Sequence, residues 1–335
     1  MVRHTGHGYA GVVPAEARSD EASIVKNQPR IFVIGSYMHA FVIHAPRLPR
    51  EGETVFGTDS EIGPGGKGSN QAVAAARLGA KVEILACVGH DPLGDEARSL
   101  WSEERLEDRW VFRDEQDRPT GMAFIMVDER GQNRIIVTPG ANDALTARSA
   151  DEAEEAIANA DVLVAQFESP VAVVERALEL ARKHGVRTIL NPAPAREIPD
   201  SLLALVDIIT PNEAEVQSLT GRPSEDDPET LARALRLRGP KTVVITMGEA
   251  GAYVLDDVCG RIVPGVQVSV HDTTGAGDAF TGALAVALGR GLDIDHAVRF
   301  ANLGGAFCVT RHGVVPGLGR EEELLALRDR TESTE

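Results

Sequence analysis

Cysteine is scarce in this chain of 335 residues: Cys87, Cys259 and Cys308 are odd in number, far apart and form no C-x-x-C pair. That spacing suggests neither a zinc ribbon nor a disulfide framework, and a reducing cytoplasm is the expected location. Aromatic residues make up only 4%. Positive charge is short as well, with 34 Lys+Arg against 51 Asp+Glu and a formal net charge of −17. A nucleic acid or an anionic membrane needs a basic face, so neither is expected as a partner, whereas a small anionic ligand needs only a few local donors. No apolar run approaches the length of a membrane span. Met1 to Ala17, interrupted by His4, Gly6, His7, Gly8 and Pro14, lacks the apolar core of a signal peptide. There is no internal repeat, and no linker rich enough to separate two independent domains.

What is present is apolar material, 43% of residues, and abundant glycine, 33 residues. Short β-branched runs alternate with amphipathic stretches. Arg30 to Gly35, Lys81 to Val88, Asp161 to Gln166, Val186 to Leu190, Asp207 to Thr210 and Lys241 to Thr246 read as strands. They are continuously apolar, the mark of strands buried on both faces of a parallel sheet. Ser69 to Leu78, Ser149 to Asn159, Val171 to His184 and Pro228 to Arg238 read as helices between them. The expected fold is α/β, a doubly wound, mainly parallel sheet flanked by helices. Val42 to Ile62 and Thr120 to Thr138 break the rhythm: extended, more polar, with turns at Gly52, Gly57 and Arg130-Gly131, they predict a small antiparallel β lid. Residues 1–28 are expected to be a flexible extension, 29–330 the domain with its lid, and 331–335 a tail.

The strongest local signal is Asp272-Thr273-Thr274-Gly275-Ala276-Gly277-Asp278-Ala279-Phe280-Thr281-Gly282. A strand-like segment ends near Val270, a Gly-rich turn follows, and an apolar helix runs from about Gly277 to Gly289. Free N–H groups at a helix N-terminus form a site for a phosphoryl oxyanion. Asp278 in the first turn is placed to take a proton from an attacking hydroxyl. A tight turn with Asp278 as a helix-dipole partner is the alternative; the upstream aspartate and threonines favour the functional reading. A second signal is Gly63-Pro64-Gly65-Gly66-Lys67-Gly68-Ser69-Asn70-Gln71-Ala72, either a close backbone approach to a ligand or a strained β-to-helix connection. It is not a Walker A loop, since Glu61 and Gly68 stand where Gly and Ser/Thr are needed. Nor is the turn at 275 a dinucleotide fingerprint, since Phe280 takes the third glycine position.

Together with Leu190-Asn191-Pro192-Ala193-Pro194-Ala195-Arg196 and with Ile209-Thr210-Pro211-Asn212-Glu213-Ala214-Glu215 before Leu219-Thr220-Gly221, these motifs resemble the ribokinase family of sugar kinases. The resemblance spans about Arg30 to Arg330. It implies ATP, Mg²⁺ and a monovalent cation, usually K⁺, with Asp278 as catalytic base and Gly275, Ala276 and Gly277 as anion hole. It implies that Asn212 and Glu215 organise Mg²⁺ and the triphosphate, that Thr246, Gly248 and Gly251 lie under the nucleotide, and that Asn302 lies near the adenine. Gly66, Lys67, Asn70 and Glu168 match sugar contacts. Asp272, Thr274, Cys308, Arg311, Gly313 and Gly317 match the K⁺ site, mostly through backbone carbonyls; Gly317 replaces a serine that can add a hydroxyl. A homodimer through the β lid is expected.

One departure bears on the substrate. Ribokinases read G-S-x-N-x-D at the end of the first strand, and the Asn and Asp hold ribose hydroxyls; here Gly35-Ser36-Tyr37-Met38-His39-Ala40 places Met38 and Ala40 there. Strand alternation sets Met38 and Ala40 on one face and Tyr37 and His39 on the other, so His39 is no substitute. Either other residues hold ribose, or the substrate is a different furanose-type sugar such as 2-deoxyribose. A catalytically silent sugar- or nucleotide-binding regulator on the same fold is the reading from another class, and the retained Asp278 argues against it.

Overall fold

Ile31, Phe32, Val33 and Ile34 are all buried, because the strand they form is covered on both faces. In a computed structural model residues 28–130, 132–223 and 226–333 are described. Among them the strands along the chain are β1 (Arg30–Ile34), β2 (Met38–Ala45), β3 (Asp59–Gly65), β4 (Lys81–Val88), β5 (Val111–Arg113), β6 (Gly121–Asp128), β7 (Asn133–Thr138), β8 (Val162–Ala165), β9 (Arg187–Leu190), β10 (Ile208–Ile209), β11 (Thr242–Thr246), β12 (Ala252–Leu255) and β13 (Gly260–Val263). Nine form one sheet in the order β13-β12-β11-β10-β9-β8-β1-β4-β5. Pairing is parallel from β5 to β11 and antiparallel at β12 and β13. Alternate β1 residues feed two cores: Ile31 and Val33 face the helices Lys67–Arg77, Ala276–Gly289 and Ile294–Cys308, while Phe32 and Ile34 face Val171–His184 and Pro228–Arg236. Such double coverage is what continuous apolar runs require.

The second sheet, ordered β3-β2-β6-β7, corrects two expectations, and the segment after β13 a third. It is not purely antiparallel: β2 and β6 pair in parallel, Met38 opposite Gly121 through Ala45 opposite Asp128. Both strands leave the same end of the parallel sheet, β2 after β1 and β6 after β5, so they run in the same direction. The lid also begins earlier than residue 42. Met38 and Ala40 belong to β2 and not to the end of the first strand, which stops at Ile34. The chain changes sheet where Asn142 clamps Tyr37, its Oδ1 accepting from the Tyr37 N–H (3.0 Å) and its Nδ2 donating to the Tyr37 carbonyl (2.8 Å). Third, no strand reaches Val270: β13 ends at Val263, and Pro264, with no N–H to offer, opens an irregular segment.

Smaller differences follow the same lines. The helix expected over 149–159 is two, Ala147–Glu152 and Glu154–Ala158, meeting at Ala153. The helix Glu321–Glu332 extends past the expected start of the tail at 331. Of the expected N-terminal extension, residues 1–27 lie outside the described residues, as does Gly131 of the lid turn. Asp227 caps the helix Pro228–Arg236, accepting from the Thr230 N–H (3.0 Å).

Arg77, at the end of the helix Lys67–Arg77, ties the C-terminal region to the sheet. Its guanidinium donates to the carbonyls of Val315 and Leu318 (both 2.6 Å) and pairs with Glu104, whose side chain is 9% exposed. Removing Arg77 would leave the buried Glu104 carboxylate only its longer contact with Arg320 (3.4 Å) and two carbonyls without their donors. Arg77→Met should therefore cost about 3 kcal/mol of unfolding free energy in a urea titration; a loss below about 0.5 kcal/mol would show that the clamp carries no stability.

Candidate active site

The C-terminal ends of the parallel strands converge on one place, where α/β sheets carry their ligands. Ser36 follows β1, Glu168 follows β8, Asn191 follows β9, Asn212 follows β10, and Thr246 ends β11. Two helices enter with their N-termini. The first, Lys67–Arg77, begins at Gly66, whose φ of 93° suits glycine; a Cβ there would stand 2.8 Å from the Met38 nitrogen and the Ser36 carbonyl. The second, Ala276–Gly289, begins at Gly275 with φ 83°, and a Cβ there would strike Val314. Gly277 in its first turn has open space beside it. The two helices pack closely because Gly282 lies against Ala74 and the Gln71 carbonyl.

That packing places Asp278, buried, against the first helix. One carboxylate oxygen accepts from Asn70 Nδ2 (2.8 Å) and the other from Gln71 Nε2 (2.9 Å). Asn70 Oδ1 is buried with no protein partner, an acceptor left for a ligand hydroxyl. Oε2 of Glu168 accepts both the Ser36 hydroxyl and the Lys67 N–H (each 2.7 Å), which leaves Oε1 unengaged. Burial pushes the Glu168 carboxyl up, against the opposing pull of the Lys67 charge. The carboxyl of Glu215 is raised for the same reason. Burial by itself would lower the Lys67 ammonium, but Asp278, Glu168 and Glu215 outweigh it and hold it above its usual value. Lys67, Glu215, Asp278, Thr210 and Gly275 line a cavity of about 200 Å³.

Beside it lies an apolar slot of about 210 Å³, walled by Val266, Val268, Phe280, Ala306 and Val309, with Gly248 and Gly251 at its rim. Thr246, Thr273 and Gly277 line both spaces, so slot, anion turn and carboxylate are contiguous. Asn302 lines the slot, but its Nδ2 is committed to the carbonyls of Val263 (3.2 Å) and Pro264 (2.9 Å), so it shapes the wall and has only its oxygen to offer. Asn212 and Glu215 form a capping box at the helix Glu213–Thr220: Asn212 Oδ1 accepts the Glu215 N–H (2.8 Å) and Glu215 Oε2 the Asn212 N–H (2.9 Å). A larger groove, about 730 Å³, opens at the opposite ends of the strands around paired Asp207 and Lys241, and holds none of the candidate residues.

The positions matched to a monovalent cation come together beside the anion turn. Asp272 accepts the N–H groups of Thr274 (2.9 Å) and Gly313 (3.1 Å), and Cys308 Sγ lies 3.5 Å from the Thr274 carbonyl. These hydrogen bonds hold Asp272 below the usual carboxylate range against its partial burial, the largest influence on it. Burial pushes the Cys308 thiol up to about 12. A Cβ on Gly317 would be 3.0 Å from Cys308 Sγ, so Cys308 takes up space that a side chain at 317 would need. Arg311 joins through its backbone N–H to the Cys308 carbonyl (3.2 Å), while its side chain turns away to Glu323. On the lid, Met38 is buried and Ala40 sits between Gly63 and Ala123. His39 lies on the other face, 3.3 Å from Glu96 and against Phe41.

Several residues of the site were not singled out beforehand. Ser36, Gln71, Gln166 and Thr210 are buried polar groups at strand ends or on a buried helix face. The signal available for Gln166 and Asn191 is a polar amide directly after an apolar strand.

Glu168 yields a pH-dependent expectation. A carboxyl raised on folding binds protons more tightly in the native state, so its contribution to stability falls as pH rises from the unfolded pKa through the folded one. Glu168→Gln keeps an oxygen for Ser36 and Lys67 but removes the buried charge. It should unfold at higher urea than wild type at pH 8, and the advantage should shrink as pH falls toward the ordinary carboxylate range. An advantage independent of pH would contradict this origin.

Residues 28–318 match the family model described as pfkB family carbohydrate kinase. Among curated relatives, a ribokinase of Haemophilus influenzae is 40% identical over 295 residues, 88% of this chain and 96% of the relative. A deoxyribokinase of Salmonella typhi is 36% identical over 305 residues, 89% of this chain and 99% of the relative. Among solved structures, Arabidopsis thaliana ribokinase complexed with ribose and ATP superposes with a TM-score of 0.83 at 31% identity, over 90% of this chain and 99% of that one. The chain belongs to the pfkB family of carbohydrate kinases, and is an enzyme that phosphorylates a sugar hydroxyl.

Proposed function

We propose that the chain transfers the γ-phosphoryl group of ATP to a primary hydroxyl of a furanose-type sugar, and that the preferred sugar is not D-ribose. The observation that carries the first half is the buried Asp278 carboxylate in the first turn of the helix Ala276–Gly289, lining a polar cavity that shares Thr246, Thr273 and Gly277 with an apolar slot. Asp278 takes the hydroxyl proton as the sugar oxygen attacks. The amides of Gly275 to Gly277 stabilise charge on the moving phosphoryl group. Lys67, held charged, and Glu168 orient the sugar with Asn70. The lid excludes water, so that the sugar is phosphorylated in its place.

Two ions fit the residues present. Among the described residues no three His, Cys, Asp or Glu side chains form a metal cage. Asn212 and Glu215, oxygen donors lining the polar cavity, would help organise Mg²⁺, which would be carried largely by phosphates and water and would neutralise triphosphate charge. Asp272 and the backbone at Thr274, Cys308, Arg311, Gly313 and Gly317 would hold K⁺, which would add positive field behind the anion turn. Ile62, Phe124 and Ile136 share one lid face and are all exposed, which supports a second copy of the chain as partner through the lid. Three free cysteines support a reducing, cytoplasmic location.

The substrate reading rests on Met38 and Ala40, which stand where ribokinases have Asn and Asp, with Ala40 opposite Gly63 and Ala123. An unpaired buried hydroxyl costs about 1–3 kcal/mol, so losing two anchors weakens ribose by powers of ten. A sugar lacking a hydroxyl there, such as 2-deoxyribose, fits, and the deoxyribokinase relative supports it. Ribose itself is the second reading, favoured by the ribokinase relatives.

Asp278→Asn should lower turnover by roughly 10²–10⁴-fold with ATP binding nearly intact; retention of most of the rate would remove Asp278 as base. Values of kcat/KM for D-ribose, 2-deoxy-D-ribose and several ketoses should favour a sugar other than ribose. The double change Met38→Asn with Ala40→Asp should move preference toward ribose. Wild type already preferring D-ribose at low millimolar KM or below would overturn the substrate assignment.

A further inference from the structure

Asp278 does not stand alone. Gln71 Nε2, besides donating to the Asp278 carboxylate (2.9 Å), donates to Asn191 Oδ1 (3.2 Å). Its own Oε1 accepts from Gln166 Nε2 (2.6 Å). Asn191 Nδ2 in turn donates to the Thr210 carbonyl (3.0 Å). Gln71, Gln166 and Asn191 are all buried, Asn191 at the wall of the polar cavity.

The direction of the chain is determined from its far end. A backbone carbonyl only accepts, so Asn191 must turn its NH₂ to Thr210 and its oxygen to Gln71. Gln71 must then turn its NH₂ toward Asn191 and Asp278 and its oxygen toward Gln166. Asn70 Nδ2 meets the other carboxylate oxygen. Both partners of Asp278 are therefore donors, which presents the carboxylate as an acceptor and pins its rotamer. The network contains no group that takes up a proton, so it offers no path onward from Asp278.

We propose that Gln71, backed by Gln166 and Asn191, is a positioning residue that locks the Asp278 carboxylate in the acceptor orientation that phosphoryl transfer needs. The proposal rests on Asp278 being the base. In that step the sugar O–H proton passes to Asp278 while the new O–P bond forms. The γ-phosphorus bond to the bridging oxygen breaks, and ADP keeps that electron pair. Positioning errors of about 1 Å cost on the order of 10²-fold in such reactions. The charged or titratable groups facing Asp278 are Lys67, Glu168, Glu215 and Cys308. None of them is altered by substituting Gln71 or Gln166.

The test compares wild type, Gln71→Met, Gln166→Met and the double variant, each first shown to be folded and to bind ATP. With the best sugar of the panel, Gln71→Met should lose about 10- to 100-fold in kcat, with KM for sugar and ATP within threefold of wild type. Gln166→Met, which does not touch Asp278, should lose less. The double variant should be no worse than Gln71→Met, because both act through one carboxylate. Unchanged kcat in Gln71→Met, or a loss carried by KM alone, would overturn the proposal, as would multiplicative effects in the double variant. Crystal structures of wild type and Gln71→Met decide the matter even if no sugar is turned over, an outcome that would count against the proposed function. The Asp278 carboxylate should rotate or become disordered in the variant; finding it unmoved on Asn70 would refute the positioning role.

Discussion

The close approach of the helix Ala276–Gly289 to the helix Lys67–Arg77 is the contact on which the site depends. Glycine at 282 removes the side chain that would hold them apart, and the small Ala74 lies opposite. A carboxylate buried in that interface needs donors, since burying an unpaired charge is far more costly than burying a paired one. Asn70 and Gln71 supply them from the neighbouring helix. The same crossing brings the N-terminus of each helix to the carboxyl ends of the strands, where β1, β8, β9, β10 and β11 deliver their loops.

The charge balance of the pocket follows from this crowding. Asp278, Glu168 and Glu215 surround a single Lys67 in a chain already at −17. A triphosphate entering such a place meets repulsion unless positive charge accompanies it. Lys67 and the first turn of the helix Ala276–Gly289 contribute part of that charge. On the proposed reading the remainder arrives with the nucleotide as its metal ion, which explains why a phosphate-handling site needs so few basic side chains.

The lid is anchored less by its own sequence than by what holds its first residue. Asn142 grips the backbone of Tyr37 on both sides, and β2 then runs parallel to β6 in a register that sets Ala40 between Gly63 and Ala123. On the proposed reading, substrate preference lies in a strand of the lid and not in the large sheet, although Met38 comes only four residues after the end of β1.

Continuous apolar runs required a parallel sheet covered on both faces, and Arg30 to Ile34 became its covered centre because no other arrangement hides both of its faces. The glycine turn before Asp278 was legible too, since a carboxylate in the first turn of an apolar helix is a local pattern. So was the run from Gly63 to Asn70. What could not be read locally was every partnership across the chain. The parallel pairing of β2 with β6 depends on which end of the sheet both strands leave, which no stretch of residues encodes by itself. Gln71, Gln166 and Asn191 lie up to 120 positions apart, and each alone is only a polar residue in an apolar setting. The sequence by itself determined where buried strands and helix N-termini form, because those depend on neighbours within a few residues. The tertiary structure decided which distant polar groups meet, because a buried donor or acceptor must be paired and only the packed fold offers the partner.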